Sequence, residues 1–347
     1  MPELGPFGSV RGVPGNGYPY RDSEPTPTRN LIARLAAMTL LSCPGWADQA
    51  AIPRVGALFS IGSTPSFEEG LRAGLRELGY VEGQNIVIEW RRSVGGDKEL
   101  RSLAADFVRS KVELIVVNTT AAARATLETT TTIPVVFLSG DPVATGLAVS
   151  LAKPGRNGTG VSVVSTELYP KRLEYLHWLA PRTLRIGFLT NPTNPIAATQ
   201  LEATRQAART LGLQLVTLDA RNEAELGAVL RALRRGVADG VIVTADVVFR
   251  LNKSKVIEAI RKARLPAMFP YREYHNEGVL MAYGPNSTEV GRKMAAYVDK
   301  ILKGAKPADL PIEQLSKYEL VIDLRVAREL GIKVPQDLLL RADEVIR

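Results

Sequence analysis

Six short polar stretches hold the side chains of this sequence with the chemistry to grip a small molecule. They are Ser60-Ile-Gly-Ser63, Asn118-Thr119-Thr120, Ser139-Gly-Asp141, Asn191-Pro-Thr-Asn194, Thr244-Ala-Asp246 and Tyr271. Hydroxyls, amides and two carboxylates make a hydrogen-bonding site for a small polar compound. Thr119 and Thr120 stand ahead of an Ala-rich helical run, where backbone N–H groups can accept a carboxylate with help from the hydroxyls. The alternative is that Asn118 or Thr119 simply caps its own helix. Asp141, just before Pro142, is either a counter-ion for a ligand ammonium or the cap of the short helix expected after it. Asp246, before Val247 and Val248, carries the same two readings. Tyr271 and Tyr274 are candidate pocket walls, whereas Phe67 and Phe249 fall on helix faces and read as core.

Reactive chemistry finds little support. The two histidines, His177 and His275, have no nucleophile elbow or metal-spaced partner beside them. Gly155 to Gly160 has neither the phosphate-loop lysine pattern nor the strand and helix that frame a dinucleotide loop, so it reads as a turn. Neither an enzyme, nor a metal site, nor a cofactor is expected.

The elements that must position these stretches follow from periodicity. Arg54–Ser60, Ile86–Trp90 and Leu114–Val117 are strand-like, and they alternate with amphipathic helices at 66–79 and 98–110. Strands alternating with helices predict a parallel sheet covered on both faces, and ligands then bind outside the carboxyl ends of the strands. The same order occurs twice. Arg54-Val-Gly-Ala-Leu-Phe-Ser60 matches Arg185-Ile-Gly-Phe-Leu-Thr-Asn191, and Ile133-Pro-Val-Val-Phe137 matches Leu265-Pro-Ala-Met-Phe269 at nearly the same distance along the chain. The fold class expected is therefore α/β, with two Rossmann-like lobes. Lobe one is assigned 51–163 plus 269–304, and lobe two 164–268 plus 305–347, with Gly158–Ser165 as a hinge strand.

Residues 1–50 differ from the rest. Arg29 and Arg34 precede a short apolar run from Leu35 to Leu41, then Cys43 and Ala47. That is an export signal, with cleavage after Ala47, or lipidation if Leu40-Leu-Ser-Cys43 is a lipoprotein box. Cys43 is the only cysteine among 347 residues, so a mature chain cut after it forms no disulfide and suits an oxidising compartment. The net charge of +8 is spread with acids interleaved, which argues against a nucleic-acid groove.

The mature chain resembles the solute-binding proteins of ABC transporters of the tryptophan/tyrosine type. The segments that carry the resemblance are Gly70–Asn85, Ile133–Gly146, Ser150–Gly160, Pro170–Leu176, Asn191–Pro195, Gly278–Pro285, Ala296–Leu310 and Leu338–Ile346. The resemblance implies a type I periplasmic-binding fold whose lobes close on an aromatic amino acid. It also implies an inner-membrane ABC permease as partner, and residues Ser60–Ser63, Asn118–Thr120, Asp141 and Asp246 at the ligand. The first loop departs from the family's Pro-Gly-Ser-Pro wording, and Asn118 replaces a small residue. The expected protein is a periplasmic, monomeric receptor feeding a permease; a ligand-sensing module for a membrane signalling protein is the alternative.

Overall fold

The computed structural model describes residues 52–60, 65–94 and 96–347; the side chain of residue 276 lies outside it. The leader, Cys43, Gly62 and Ser63 fall outside the described residues.

The chain begins with β1 (Arg54–Ser60), α1 (Pro65–Glu77), β2 (Val87–Ser93), α2 (Asp97–Ser110), β3 (Leu114–Val117), α3 (Thr120–Thr129), β4 (Val135–Ser139) and β5 (Gly158–Ser162). All four residues of β3 are buried, as a strand covered by helices on both faces requires. The strands pair in parallel, and the first sheet has the order β5-β4-β3-β1-β2. The sequence next forms α4 (Ser165–Leu179), β6 (Arg185–Thr190), α5 (Ala197–Thr210), β7 (Gln214–Asp219), α6 (Glu223–Arg234) and β8 (Gly240–Val243). It continues through α7 (Val247–Leu251), α8 (Lys253–Lys262), β9 (Ala267–Phe269) and β10 (Met281–Gly284). In the second sheet the order β10-β9-β8-β6-β7 repeats that of the first. The duplication read from the sequence is thus a duplication of topology.

The final segment weaves the two lobes together. Helix α9 (Ser287–Leu302) returns to the first lobe and packs on α1, and β11 (Glu313–Gln314) adds an edge to β5. Then β12 (Glu319–Asp323), α10 (Leu324–Leu330), α11 (Gln336–Leu339) and β13 (Glu344–Ile346) complete the second lobe. The return falls later than the boundary at 269 expected from the sequence. Met281 and Ala282 pair with β9 in the second sheet, and β10 ends at Gly284, so the crossing is at Pro285–Asn286. Likewise, residues 307–314 stay with the first lobe instead of joining the second. Strand β12 runs antiparallel to β10 because one strand leaves the second lobe where the other enters it.

Three crossings therefore join the lobes: 163–164, 285–286 and 315–318. The first contains Val164 at φ 43°, a left-handed conformation that a β-branched residue rarely adopts. Each lobe has its own apolar core, built from alternate faces of its sheet.

Candidate ligand-binding cleft

In a sheet of this order the chain turns to opposite faces after the first and third strands of each half, and the crevice at that switch point is where ligands lodge. In the first lobe those ends are Ser60 and Asn118; in the second they are Asn191 and Thr244. Both sets open onto one cleft of about 600 Å³, lined from the two lobes.

The first-lobe wall is internally braced. The Ser60 N–H donates to Asn118 Oδ1 at 3.1 Å, tying the ends of β1 and β3. Thr119 Oγ1 accepts the Ala122 N–H at 3.1 Å and caps α3, so its side chain follows the capping reading while the residue still lines the cleft. Thr120 Oγ1 accepts the Gly140 N–H at 3.0 Å and lies 3.3 Å from Ser139 Oγ. That contact holds the end of β4 against α3.

The second-lobe wall centres on Asp246. Its Oδ1 accepts from Asn191 Nδ2 at 3.2 Å and from the Val248 N–H at 2.9 Å, and its Oδ2 accepts from Asn194 Nδ2 at 2.9 Å. A carboxylate with three donors is held in one orientation. Asn191 Oδ1 in turn accepts from the Thr193 N–H and hydroxyl. Tyr271 lines the cleft with Arg250 over its ring at 4.9 Å. Burial pulls the Arg250 guanidinium down, but Tyr271, Tyr274 and Glu273 outweigh it and hold it above the ordinary arginine value.

Of the residues anticipated from the sequence, Ser60, Asn118, Thr119, Thr120, Asn191, Asn194, Asp246 and Tyr271 meet at this cleft, while Asp141 does not. Asp141 heads a turn: its Oδ1 accepts the Ala144 N–H at 3.0 Å, and its Oδ2 lies 3.4 Å from Thr166 Oγ1. The turn at 142–146 replaces the short helix expected there. Tyr274 is a core residue stacked on Tyr271, and burial pushes its phenol up to about 12. Phe67 and Phe249 are core as anticipated. His275 lies outside the cleft, its Nδ1 2.6 Å from the Arg272 carbonyl.

Helix α4 supplies a wall that the sequence reading missed. Ser165, Leu168, Tyr169 and Arg172 line the cleft at helical spacing. The Tyr169 hydroxyl accepts the Ala245 N–H at 2.8 Å, next to Asp246, and burial raises its phenol above the ordinary value. The signal was present: Arg172 interrupts an otherwise apolar stripe of Leu168, Tyr169, Leu173 and Leu176.

Among the described residues no cluster of His, Cys, Asp and Glu could hold a metal, and no helix is long and apolar enough to cross a membrane. The arrangement can bind and enclose a small polar molecule; among its described residues no nucleophile is hydrogen-bonded to a base.

Comparison with known proteins bears on the whole of this architecture. The chain is 25% identical over 257 residues to a tyrosine-binding protein of Clostridioides difficile (strain R20291), covering 74% of each chain. It is similar to the crystal structure of an ABC domain in complex with L-Trp from Streptococcus pneumonia, at a TM-score of 0.78 and 26% identity, covering 85% of this chain and 99% of that one. It also resembles the ligand-free, open structure of a substrate-binding protein with adhesive properties from Clostridium difficile. There the TM-score is 0.61 at 25% identity, with the same coverage. The family model described as ABC transporter substrate binding protein matches residues 55–346, which take in both sheets, the three crossings and every described segment that builds the cleft. The chain belongs to the ABC transporter substrate binding protein family, whose role is to bind a substrate and not to transform it.

Proposed function

We propose that this protein is the exported receptor of an ABC importer, binding an amino acid between its lobes and handing the closed form to an inner-membrane permease. One observation carries the reading: the switch-point loops of two lobes that share the same five-strand order face one cleft of about 600 Å³. A cleft of that size suits a small metabolite, with room for an aromatic side chain. The tyrosine-binding relative and the L-Trp complex support an aromatic amino acid. The higher TM-score to the L-Trp complex than to the open, ligand-free structure supports reading the present arrangement as the closed one. Ser60, Asn118, Thr119, Thr120, Asn191, Asn194, Asp246 and Tyr271 are the proposed contacts. The leader at 1–50 directs export, with the mature protein freed after Ala47 or anchored through a lipid on Cys43, and it acts as a monomer.

Differential scanning fluorimetry of protein stripped of co-purified ligand, against the amino acids and a set of sugars and nucleosides, tests the proposal. A compound present at 100 times its dissociation constant should stabilise the fold by about 2.7 kcal/mol. Absence of any shift would sink the binding role. Uptake of the bound compound by permease-containing vesicles, dependent on this protein, tests delivery.

A further inference from the structure

Arg172 is 2% exposed, yet no carboxylate among the described residues lies within ion-pair distance of it. Its Nε–H donates to the Tyr283 carbonyl at 2.8 Å and an Nη2–H to the Pro270 carbonyl at 3.1 Å, and its guanidinium lies 4.4 Å from the centre of the Tyr169 ring. These partners fix the group at the ends of β9 and β10 without neutralising it. Asp246, an acid that lines the same cleft, is already engaged by three N–H donors. Burying a cation without a counter-charge is costly, and a site that does so is built for a charge that arrives from outside.

Two further groups point the same way. Ser60 Oγ and Ser165 Oγ are buried, at 6% and 5% residue exposure, line the cleft, and have no hydrogen-bond partner among the described residues. Ser165 and Arg172 share the cleft face of α4 with Leu168 between them, two turns or about 10 Å apart along the axis. The face reads hydroxyl, apolar, cation.

Resting on the receptor reading above, we infer that Arg172 is the anchor for a carboxylate on the ligand, and that the ligand's apolar body lies over Leu168 and Tyr169 with a hydrogen-bonding group toward Ser165 and Ser60. One guanidinium matches a monoanion; a phosphate dianion would leave net charge in a dry cleft. The ligand class is therefore a monocarboxylate with an apolar middle.

Isothermal titration of the stripped full chain with L-tyrosine and L-tryptophan, their carboxamides, and the decarboxylated amines tests this. Wild-type protein should bind the acids about 100-fold more tightly than the amides or amines, because the neutral analogues leave the guanidinium unpaired. In Arg172→Gln that ratio should collapse to within about threefold, while Arg172→Lys should keep part of it. If Arg172→Gln does not fold, as judged by circular dichroism, the wild-type ratio and Arg172→Lys decide. Mass spectrometry of ligand released from wild-type protein on denaturation should find a carboxylate compound. Equal affinity for acid and amide in wild type, an unchanged ratio in either variant, or release of a neutral sugar or nucleoside would overturn the inference while leaving the receptor role standing. No binding of any compound would overturn both.

Discussion

Ser60 shows how a single residue in this cleft separates stability from binding. Its N–H is engaged by Asn118 while its hydroxyl is buried with no partner among the described residues. Leaving a buried hydroxyl unsatisfied costs about 1–3 kcal/mol. Ser60→Ala removes that group and keeps the backbone contact, so the ligand-free protein should gain about 1 kcal/mol in urea unfolding while affinity for its ligand falls about tenfold. Equal losses of stability and affinity would show that the hydroxyl supports the fold instead. Asp246 is the contrasting case, because the same carboxylate caps α7, orients Asn191 and Asn194, and faces the ligand space. At this scale sequence reasoning identified residue types well and roles poorly. Thr119 caps α3 and also lines the cleft, because a residue at a helix N-terminus can satisfy its own helix and still border a crevice. Asp141 was indistinguishable from Asp246 in sequence, and only the packing of Thr166 and the turn at 142–146 turned it away from the cleft.

Among the elements, the pairing of α1 with α9 decides where the last third of the chain goes. The helices cross so closely that a Cβ on Gly70 would come within 2.2 Å of the Thr288 carbonyl oxygen, and one on Gly291 within 2.3 Å of the Phe67 carbonyl oxygen. Backbone cannot yield as a flexible side chain can, so Gly70→Ala should destabilise the protein by about 2 kcal/mol. Gly227 in α6 meets nothing nearer than the end of Arg231 at 3.6 Å, so Gly227→Ala should stabilise by about 0.5–1 kcal/mol through helix propensity. Thermal or urea unfolding of the two variants side by side gives opposite signs if the close crossing is real. Two destabilised variants, or two stabilised ones, would refute it. The strand and helix order was legible because each element carries its own hydrophobic period. The partner of α9 was not, since glycines at positions 70, 74 and 291 mark a close approach without saying to what.

For the whole molecule, the crossings make a hinge that is itself tied together. Asn286, on the second crossing, caps α9 through Oδ1 and donates from Nδ2 to Glu319 Oε1 at 2.9 Å, just after the third crossing. Arg272 reaches Glu319 Oε2 at 2.6 Å and also pairs with Glu344. Burial alone would raise the Glu319 carboxyl, but the contacts from Asn286 and Arg272 hold it below its ordinary value of 4.5. Because the folded value is depressed, the stabilisation is fully present above about pH 4.5 and is lost as pH falls through the folded value. Unfolding free energy should therefore drop as pH falls below about 4.5, and Glu319→Gln should be less stable at pH 7 but show a shallower drop on acidification. An identical pH profile in that variant would remove Glu319 from the linkage.

By itself the sequence determined the α/β class, the duplicated lobe and the polar loops at strand ends, because hydrophobic period and repeat spacing are local properties of the chain. The tertiary structure alone decided that β11 belongs to the first lobe while β10 belongs to the second. It also decided that Asp141 lies outside the cleft, and that α4 contributes Arg172 to it. Those outcomes depend on which faces meet across crossings far apart in sequence. A buried arginine with no acid at ion-pair distance among the described residues is visible only once the neighbours around it are in place.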